Sequence, residues 1–248
     1  MKKKTKSQRL DQLLVGRGLA ESREKAQRLI RAALVQIDGQ IRSKPGHEFP
    51  EDADIVLLQT ERFVSRGGEK LEEAFRQFAL DVTGKICMDV GASTGGFTDC
   101  LLQHGAARVY AIDVGKRQLH WKLSKDSRVI IMDECNARYL KASDIPDHPS
   151  VATVDASFIS LTKILPAVVK VLEKGGQLVS LIKPQFEAGR EQVQKGGVVK
   201  DPAIHENVIV SVRQFVENEL GLKFLGLCTS PVKGPAGNVE FLAYWGKQ

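Results

Sequence analysis

Apolar positions in the first sixty residues recur at helical spacing in two short segments. In the first segment, Leu10, Leu13 and Leu14 share one face, and the glycines that follow end the helix. Ser22 is placed to cap the second helix. The apolar stripe of that helix consists of Ala26, Leu29, Ile30 and Ala33. The pattern therefore predicts a pair of short amphipathic helices.

The spacing changes to alternation after the second helix. Val35, Ile37 and Ile41 are apolar strand positions, and Asp38-Gly39 between them is a strong two-residue hairpin turn. Two helices followed by a hairpin predict a small α+β module at this end of the chain.

Beyond residue 80, apolar runs alternate with helical patterns. Five runs are typical of buried strands: GKICMDVG, ARVYAIDVG, RVIIMDECNAR, SVATVDASF and QLVSLIKPQF. Repeated strand–helix units predict an α/β fold with a mostly parallel, doubly wound sheet. The last two strands are joined by a Gly/Pro loop without a helix, so they form a hairpin and the last strand runs antiparallel.

The stretch SRGGEKL lies between these two regions. Arg66, Gly67 and Gly68 are interpreted as a flexible junction. Glu69 is expected to begin a helix whose core-facing positions are Leu71, Ala74, Phe75 and Phe78.

Length and composition agree with a globular protein. The 248 residues are 42% hydrophobic and 27% charged, enough for one medium domain and one small one. No apolar run reaches the roughly 18 residues of a membrane-spanning helix, and the basic N-terminus lacks the pattern of a secretory signal. The four cysteines are far apart without a CxxC pair, so we predict no metal site and expect a reducing cytoplasm.

Positive charge is concentrated near the N-terminus. Residues 1–44 hold 12 Lys/Arg against 4 Asp/Glu, whereas residues 45–248 hold 24 against 26. A basic block joined to a near-neutral body indicates contact with a polyanion, although a solvated tail with ordinary surface helices gives the same balance.

The order of helices, hairpin and basic residues over roughly residues 8–60 resembles the alpha-L RNA-binding module. That module occurs in a small-subunit ribosomal protein, tyrosyl-tRNA synthetases and pseudouridine synthases. The resemblance implies binding to structured RNA through shape and phosphate contacts, with docking to a protein as the alternative. The candidate RNA-binding residues are Arg9, Arg23, Lys25, Arg28 and Arg31.

A glycine-rich turn, DVGASTGGF, follows the first strand of the body. Its glycines allow close approach of a ligand to the backbone. Asp113 ends the next strand, where a carboxylate can bind the hydroxyls of an adenosine ribose. Both a nicotinamide dinucleotide and S-adenosylmethionine suit this arrangement. Ser93 replaces the second glycine of G-x-G-x-x-G, where the backbone approaches a pyrophosphate, so the turn favours S-adenosylmethionine, which has no phosphate.

This turn with its acidic strand end resembles the cofactor motif of class I methyltransferases. It is most similar to the FtsJ-like ribose 2′-O branch, although Thr94 stands where that branch commonly has proline. The resemblance implies a Rossmann-like, seven-stranded domain that binds S-adenosylmethionine, with Asp133 near the adenine. The implied cofactor-binding residues are Asp89, Gly91, Ala92, Ser93, Thr94, Gly95, Gly96, Phe97, Asp113, Val114, Asp133 and Asn136.

Polar residues stand at five predicted strand ends, where sites in parallel sheets lie. They are Asp89, Asp113, Asp133, Asp155 and Lys183. Methylating a ribose hydroxyl needs a nearby base. A free lysine, with a pKa near 10.4, becomes one only when burial or neighbouring positive charge lowers that pKa.

Ribose 2′-O methyltransferases of this branch carry a Lys-Asp-Lys-Glu tetrad. The matching positions, in the same order along this chain, are Lys70, Asp155, Lys183 and Glu240. By this resemblance Lys183 is the base and Asp155 orients it, while Lys70 and Glu240 position the hydroxyl and tune the electrostatics.

The chain as a whole resembles the TlyA (hemolysin A) family, through RFVSRGGEKL, DVGASTGGFTD, VDASFISL and KPQFEAGRE. The resemblance implies methylation of a cytidine 2′-hydroxyl in large-subunit ribosomal RNA, and in some members in the small subunit too. Ribosomal RNA or ribosomal subunits are the implied partners, with no membrane. We expect an RNA-binding module with its basic arm over residues 1–62, a linker over 63–70 and the methyltransferase domain over 71–248.

Three other functions are alternatives to ribose methylation. A haemolysin, the older family label, would need a signal, a spanning helix or a lytic segment, and the sequence shows none. A non-catalytic RNA-binding or assembly factor would not need an intact tetrad. A nicotinamide oxidoreductase is disfavoured by Ser93 and has no use for an RNA module.

Overall fold

The chain divides into two units, Met1–Glu61 and Arg62–Gln248. The computed structural model describes residues 6–58, 62–234 and 236–248. Residues 1–5, which carry the first lysines of the expected basic arm, lie outside the described residues, as do residues 59–61 near the expected domain boundary.

Unit 1 is a small α+β module, as the pattern predicts. Its elements are β1 (Ser7–Arg9), α1 (Leu10–Gly16), α2 (Arg23–Arg31), β2 (Val35–Ile37), β3 (Gln40–Arg42), β4 (Glu48–Pro50) and β5 (Ile55–Leu57). β2 pairs with β3 and β5 in an antiparallel sheet, and β1 pairs with β4. The sequence pattern missed β1, β4 and β5, because these three-residue strands have no two-residue hairpin turn beside them such as the Asp38-Gly39 turn that reveals β2 and β3.

The helix cap and the hairpin turn that the sequence of unit 1 predicts are both present. The Ser22 side chain caps α2 by accepting a hydrogen bond from the Lys25 N–H at 3.2 Å. Asp38 and Gly39, with φ of 48° and 77°, make the tight turn between β2 and β3. The apolar faces of both helices and of β2 meet in one core, which includes Leu10, Leu14, Ile30, Val35 and Ile37.

Unit 2 is a doubly wound α/β domain. Its helices are α3 (Gly67–Gln77), α4 (Gly96–Gln103), α5 (Trp121–Ser124), α6 (Leu161–Val171), α7 (Pro184–Glu187) and α8 (Pro202–Asn218). Its strands are β6 (Ile86–Val90), β7 (Arg108–Ile112), β8 (Val129–Met132), β9 (Val151–Val154), β10 (Gln177–Ile182), β11 (Leu222–Thr229) and β12 (Phe241–Lys247).

The seven strands of unit 2 form one sheet in the order β11-β12-β10-β9-β6-β7-β8. β12 runs antiparallel to both its neighbours, while the other pairs are parallel. Both faces are covered: α3 and α4 pack on one core, α6 and α8 on the other. β12 serves both, because Leu242 and Tyr244 enter the first core and Ala243 and Trp245 the second. The predicted mostly parallel sheet with an antiparallel last strand is confirmed.

The glycine pair of SRGGEKL is helical, which corrects the predicted start of α3 at Glu69. Gly67 and Gly68 form the first residues of α3, so residues 67–70 of the expected linker belong to this helix. A Cβ on Gly68 would lie 2.2 Å from Cγ of Phe63. A Cβ on Gly96, at the start of α4, would lie 2.8 Å from the Gly68 nitrogen. The glycines are therefore there for close packing and not for flexibility.

The longest helix, α8, carries polar residues along its exposed face. Across the described ranges, no helix has both the length and the apolar character needed to cross a bilayer.

Candidate active site

The carboxyl ends of the parallel strands in unit 2 bring several predicted residues to one edge of the sheet. Asp113, Asp155 and Lys183 each follow directly on the last residue of β7, β9 or β10. The glycine-rich turn leaves the same edge after β6. Because parallel strands end together, residues that are far apart in sequence become neighbours here.

The glycine-rich turn is held by its contacts with the two neighbouring strand ends. Gly91 has a φ of 83°, and a Cβ there would lie 2.5 Å from the Asp155 carbonyl oxygen. Ser93 also adopts a left-handed conformation and donates its N–H to Oδ2 of Asp113 at 2.8 Å. Oδ1 of Asp113 accepts the Gly115 N–H at 2.7 Å. Asp113 thus fixes the conformation of two loops.

A cavity of about 480 Å³ opens beside this turn. Its walls include the predicted residues Gly91, Ser93, Asp113, Val114 and Asn136. An apolar wall faces them, formed by residues such as Ile112, Ala137, Ile159 and Ile164. A mainly apolar cleft with a few convergent polar groups is typical of small-molecule sites of this size.

A second cavity, of about 230 Å³, adjoins the first. It is lined by Ser65, Arg66, Gly67, Lys70, Gly91, Ala92, Ser93, Thr94, Gly96, Phe97, Asp155, Val232, Lys233 and Gly234. The two cavities share Gly91, Ser93 and Asp155. Asp155 therefore stands at the place where a ligand in one cavity would meet a ligand in the other.

Three predicted cofactor residues lie outside the lining of both cavities. Asp89 is fully buried, where it accepts hydrogen bonds from the hydroxyls of Thr98 at 2.7 Å and Thr153 at 3.2 Å, and burial raises its pKa to about 7. Gly95 faces the side chain of Leu123. Asp133 accepts the N–H of Arg117 at 2.7 Å. All three support the loops around the cavities from beneath or beside them.

The structure brings the four residues of the predicted tetrad together. Nζ of Lys70 lies 2.6 Å from Oε2 of Glu240 and 3.9 Å from Oδ2 of Asp155. Nζ of Lys183 lies 2.6 Å from Oδ1 of Asp155. Lys70, Lys183 and Glu240 are only 8%, 6% and 1% exposed, so pairing is what makes their burial tolerable. Positive and negative charges alternate along this row.

Sequence reasoning missed three residues beside the tetrad. The Ser157 hydroxyl accepts a hydrogen bond from Nζ of Lys183 at 2.9 Å. Gln185 donates to Oε1 of Glu240 at 3.4 Å. Phe158 is 90% exposed, has a φ of 64° and lies 5.2 Å from the Phe186 ring. The sequence did offer one indication of these residues. They lie just beyond the ends of β9 and β10, and loops at that edge of the sheet often carry functional residues.

The candidate RNA-binding residues of unit 1 fall into two groups. Arg9 and Arg23 form ion pairs with Asp11 at 3.0 and 3.2 Å. Asp11 is completely buried, and its hydrogen bond with Arg9 lowers its pKa below the usual range, aided by Gln27 and Arg23. In the second group, Arg28 and Arg31 are exposed on α2, and Lys25 is half-buried beside them.

Asp11→Asn is expected to destabilise unit 1 by about 1–3 kcal/mol at pH 7, because charge-assisted hydrogen bonds from two arginines lose their anionic acceptor. The lowered pKa of Asp11 means that its stabilising effect is present above the unfolded-state pKa of about 4 and is lost as the pH falls below it. Chemical unfolding of both proteins between pH 3 and 7 checks this. The difference between them should shrink at low pH, and a constant difference would contradict the assignment.

One group of side chains in unit 2 has the composition of a metal site. Donor atoms of Glu72, Cys100 and His104 lie within 4.8 Å of one another. Oε1 of Glu72 already accepts a hydrogen bond from Arg62 at 2.7 Å, and Oε2 lies 2.7 Å from Nε2 of His104. Burial raises the pKa of the Cys100 thiol, which disfavours the thiolate that a metal requires. The group is therefore best described as an ion-pair network that anchors Arg62 to α3 and α4.

Known proteins share this combination of units. Residues 63–247 match the family of FtsJ-like methyltransferases, and residues 8–55 match the S4 domain. The 16S/23S rRNA (cytidine-2′-O)-methyltransferase TlyA of Mycobacterium tuberculosis is 44% identical over 238 residues, covering 95% of this chain and 88% of that protein. Hemolysin A of Brachyspira hyodysenteriae is also 44% identical, covering 96% of this chain and 99% of that protein.

A solved structure described as a hemolysin from Streptococcus thermophilus has 47% identity and a TM-score of 0.76, covering 98% of this chain and 90% of that one. The fold and the site thus define a class I methyltransferase domain joined to an S4 domain. The chain belongs to the FtsJ-like methyltransferase family and, within it, to the TlyA (hemolysin A) group. Both families suggested by the sequence motifs are confirmed.

Proposed function

We propose that this protein methylates a ribose 2′-hydroxyl in ribosomal RNA, that of a cytidine, with S-adenosylmethionine as methyl donor. The observation that carries the proposal is the row of paired charges formed by Lys70, Asp155, Lys183 and Glu240, three of them buried, where two cavities adjoin. The activity in the name of the Mycobacterium tuberculosis relative supports the choice of RNA and nucleoside. A non-catalytic assembly factor has no need for four paired charges, three of them buried, at this edge of the sheet.

The larger cavity fits S-adenosylmethionine. Asp113 and Asn136 offer polar groups to the adenosine ribose and base, and Ile112 and Ile164 offer an apolar wall. Gly91 keeps the turn open, since a Cβ there would meet the Asp155 carbonyl. When bound, S-adenosylmethionine supplies an electrophilic methyl group attached to a positively charged sulfur.

Asp113→Ala is expected to weaken S-adenosylmethionine binding by about 10- to 100-fold, because a carboxylate that accepts hydrogen bonds from the cofactor and from Ser93 and Gly115 is lost. Titration calorimetry of the purified protein measures this. Asp52→Asn, an exposed aspartate of unit 1, is the matched control and should leave the affinity unchanged. Equal affinity in Asp113→Ala and wild type would contradict the role of Asp113.

The chemistry of this chain centres on Lys183. After its ammonium group has released a proton to solvent, Nζ of Lys183 would accept the proton that the 2′-hydroxyl loses as its oxygen takes the methyl group, whose bond to the sulfur breaks. Asp155 and Ser157 fix the position of Nζ, and Asp155 balances the charge that Lys183 gains. Lys70, held by Glu240, is placed to orient the hydroxyl oxygen from the other side of Asp155.

Unit 1 is proposed to bind structured RNA, in agreement with its S4 domain match. Arg28 and Arg31 are exposed on α2 and, unlike Arg23, are not paired with Asp11, so they carry the phosphate contacts in this proposal. Arg9 and Arg23 contribute mainly by shaping the module around Asp11.

The proposed function is tested with labelled S-adenosylmethionine and four substrates: isolated small subunits, large subunits, and the naked ribosomal RNA of each, from a strain lacking this protein. Methylated riboses are then mapped by resistance to alkaline cleavage. We expect label at cytidine 2′-oxygens in at least one substrate. Absence of label in all four, with cofactor binding demonstrated separately, would refute the proposal.

Phe158 offers a surface for the base of the target nucleotide. An aromatic ring that is 90% exposed on a left-handed backbone, three residues after Asp155, is costly unless it meets a partner. Phe158→Ala is expected to lower kcat/KM for RNA by about 5- to 100-fold through lost stacking. Because Phe158 also lines the larger cavity, the kinetics are measured at saturating S-adenosylmethionine and the cofactor affinity is determined separately. Phe158→Tyr should retain activity, and failure of tyrosine to do so would contradict a stacking role.

A further inference from the structure

The smaller cavity carries two cations that the tetrad does not use. We infer that Arg66 and Lys233 form a phosphodiester site at the rim of this cavity, which holds the phosphates on either side of the target ribose. The inference rests on the proposed function and extends it, because it states how an internal nucleotide of an RNA strand is held and not only which hydroxyl reacts.

Arg66 and Lys233 both lie at the rim of the smaller cavity. Arg66 immediately precedes α3, and Lys233 lies in the loop between β11 and β12. Both line the cavity of about 230 Å³ that also contains Lys70 and Asp155, and both are exposed at its surface. Two cations from distant parts of the sequence thus enclose the cavity where the reacting hydroxyl is placed.

Among the described residues, the charges of the tetrad are paired, whereas those of Arg66 and Lys233 are not. Within the tetrad, the charges of Lys70 and Lys183 are offset by Asp155 and Glu240 at the distances given above. Within the described part of the chain, neither Arg66 nor Lys233 forms an ion pair with a carboxylate. The cavity therefore has a neutral floor and a rim with two uncompensated positive charges.

The ligand that matches this distribution is a neutral sugar between two anions. An internal nucleotide of RNA has this form, since each ribose is joined to a phosphate at both its 5′ and 3′ sides. Arg66 can bind a phosphate through two parallel N–H groups, and Lys233 binds as a point charge. The site would thus select a ribose within a strand over a free nucleoside.

One other anion could reach this rim, the carboxylate of S-adenosylmethionine, because Gly91 and Ser93 line both cavities. The two sources differ in what they predict. A phosphodiester site affects the affinity for RNA, whereas a carboxylate site affects the affinity for the cofactor. We commit to the phosphodiester, since a single carboxylate would leave one of the two cations unmatched.

Kinetics of Arg66→Gln, Lys233→Gln and the double variant test the inference, with the ribosomal subunit or RNA that wild type methylates best as substrate. We expect KM for RNA to rise about 3- to 10-fold in each single variant and about 10- to 100-fold in the double variant, with kcat within two-fold of wild type. The slope of log kcat/KM against log KCl concentration should become shallower by about 0.7 to 0.9 per residue replaced.

Matched controls separate a local effect from general loss of charge. Arg76→Gln on α3 and Lys174→Gln after α6 each remove one exposed cation outside the lining of both cavities, and should leave KM unchanged. Arg66→Lys keeps the charge and should restore the salt slope, which a purely structural role of Arg66 would not predict.

Three outcomes overturn the inference, and they are distinguishable. RNA kinetics of the glutamine variants equal to those of the controls would show that the rim does not bind phosphate. A raised dissociation constant for S-adenosylmethionine with unchanged KM for RNA would assign the rim to the cofactor carboxylate. Absence of methylation by wild type itself would remove the proposed function and this inference with it.

Discussion

Lys183→Ala is expected to lower kcat for ribose methylation by about 100- to 10,000-fold, the range by which a positioned general base contributes. Nζ of Lys183 is held by Asp155 and Ser157, and alanine leaves no group there to accept the hydroxyl proton. Cofactor affinity should stay within two-fold, because Lys183 does not line the larger cavity. Single-turnover methylation at saturating RNA and cofactor measures the effect on the chemical step.

Lys163→Ala is the control for this variant, since Lys163 is an exposed lysine on α6. It should methylate at the wild-type rate. A Lys183→Ala enzyme that retained more than a tenth of wild-type kcat would mean that another group accepts the proton, and Lys70 would then be the next residue to replace.

Gly96→Ala is expected to destabilise unit 2 by about 1–3 kcal/mol, the usual cost of overpacking. A Cβ at this position would lie 2.4 Å from Oγ of Ser65 and 2.9 Å from Cα of Gly67. The backbone neighbour cannot rotate away, so α3 and α4 must separate. Methylation should fall as well, because the first turn of α3 carries Lys70. Urea unfolding followed by circular dichroism gives the free energy, and the methylation assay gives the rate.

Gly16→Ala serves as the comparison for Gly96→Ala. No atom lies within 4 Å of the position that a Cβ on Gly16 would occupy. This variant should unfold within about 0.5 kcal/mol of wild type, as most surface substitutions do. If Gly96→Ala behaved the same way, the packing of α3 on α4 would be looser than the distances indicate.

Much of the fold was accessible from the sequence because its strands are buried on both faces. Continuous apolar runs such as those of β6, β9 and β10 have few alternative structures in a soluble chain. The strand-end residues of the tetrad were accessible for the same reason, since chain order and strand ends together place Asp155 and Lys183 at one edge.

The pairing of side chains could not be predicted from the sequence in the same way. The resemblance to the alpha-L module predicted Arg9 and Arg23 as RNA-binding residues, and the structure shows in addition that both pair with a buried Asp11, which no periodicity reveals. Asp89 belongs by motif to the cofactor loop, yet its carboxyl group lies in the core. The glycine pair before Lys70 has the composition of a linker, and only the approach of Phe63 and Gly96 shows that it is packed. Each of these depends on contacts between residues distant in sequence.

Because the charges of the tetrad cancel one another, the residues that catalyse methylation are not the ones that attract the RNA. Four charges that neutralise one another within a few ångströms produce little field at a distance, so the tetrad cannot draw a polyanion toward itself. The basic residues near the N-terminus attract the polyanion instead, because residues 1–44 contain 12 Lys/Arg and only 4 Asp/Glu. Ionic strength should therefore govern how often the enzyme meets its substrate and leave nearly untouched how fast it acts once the two are joined.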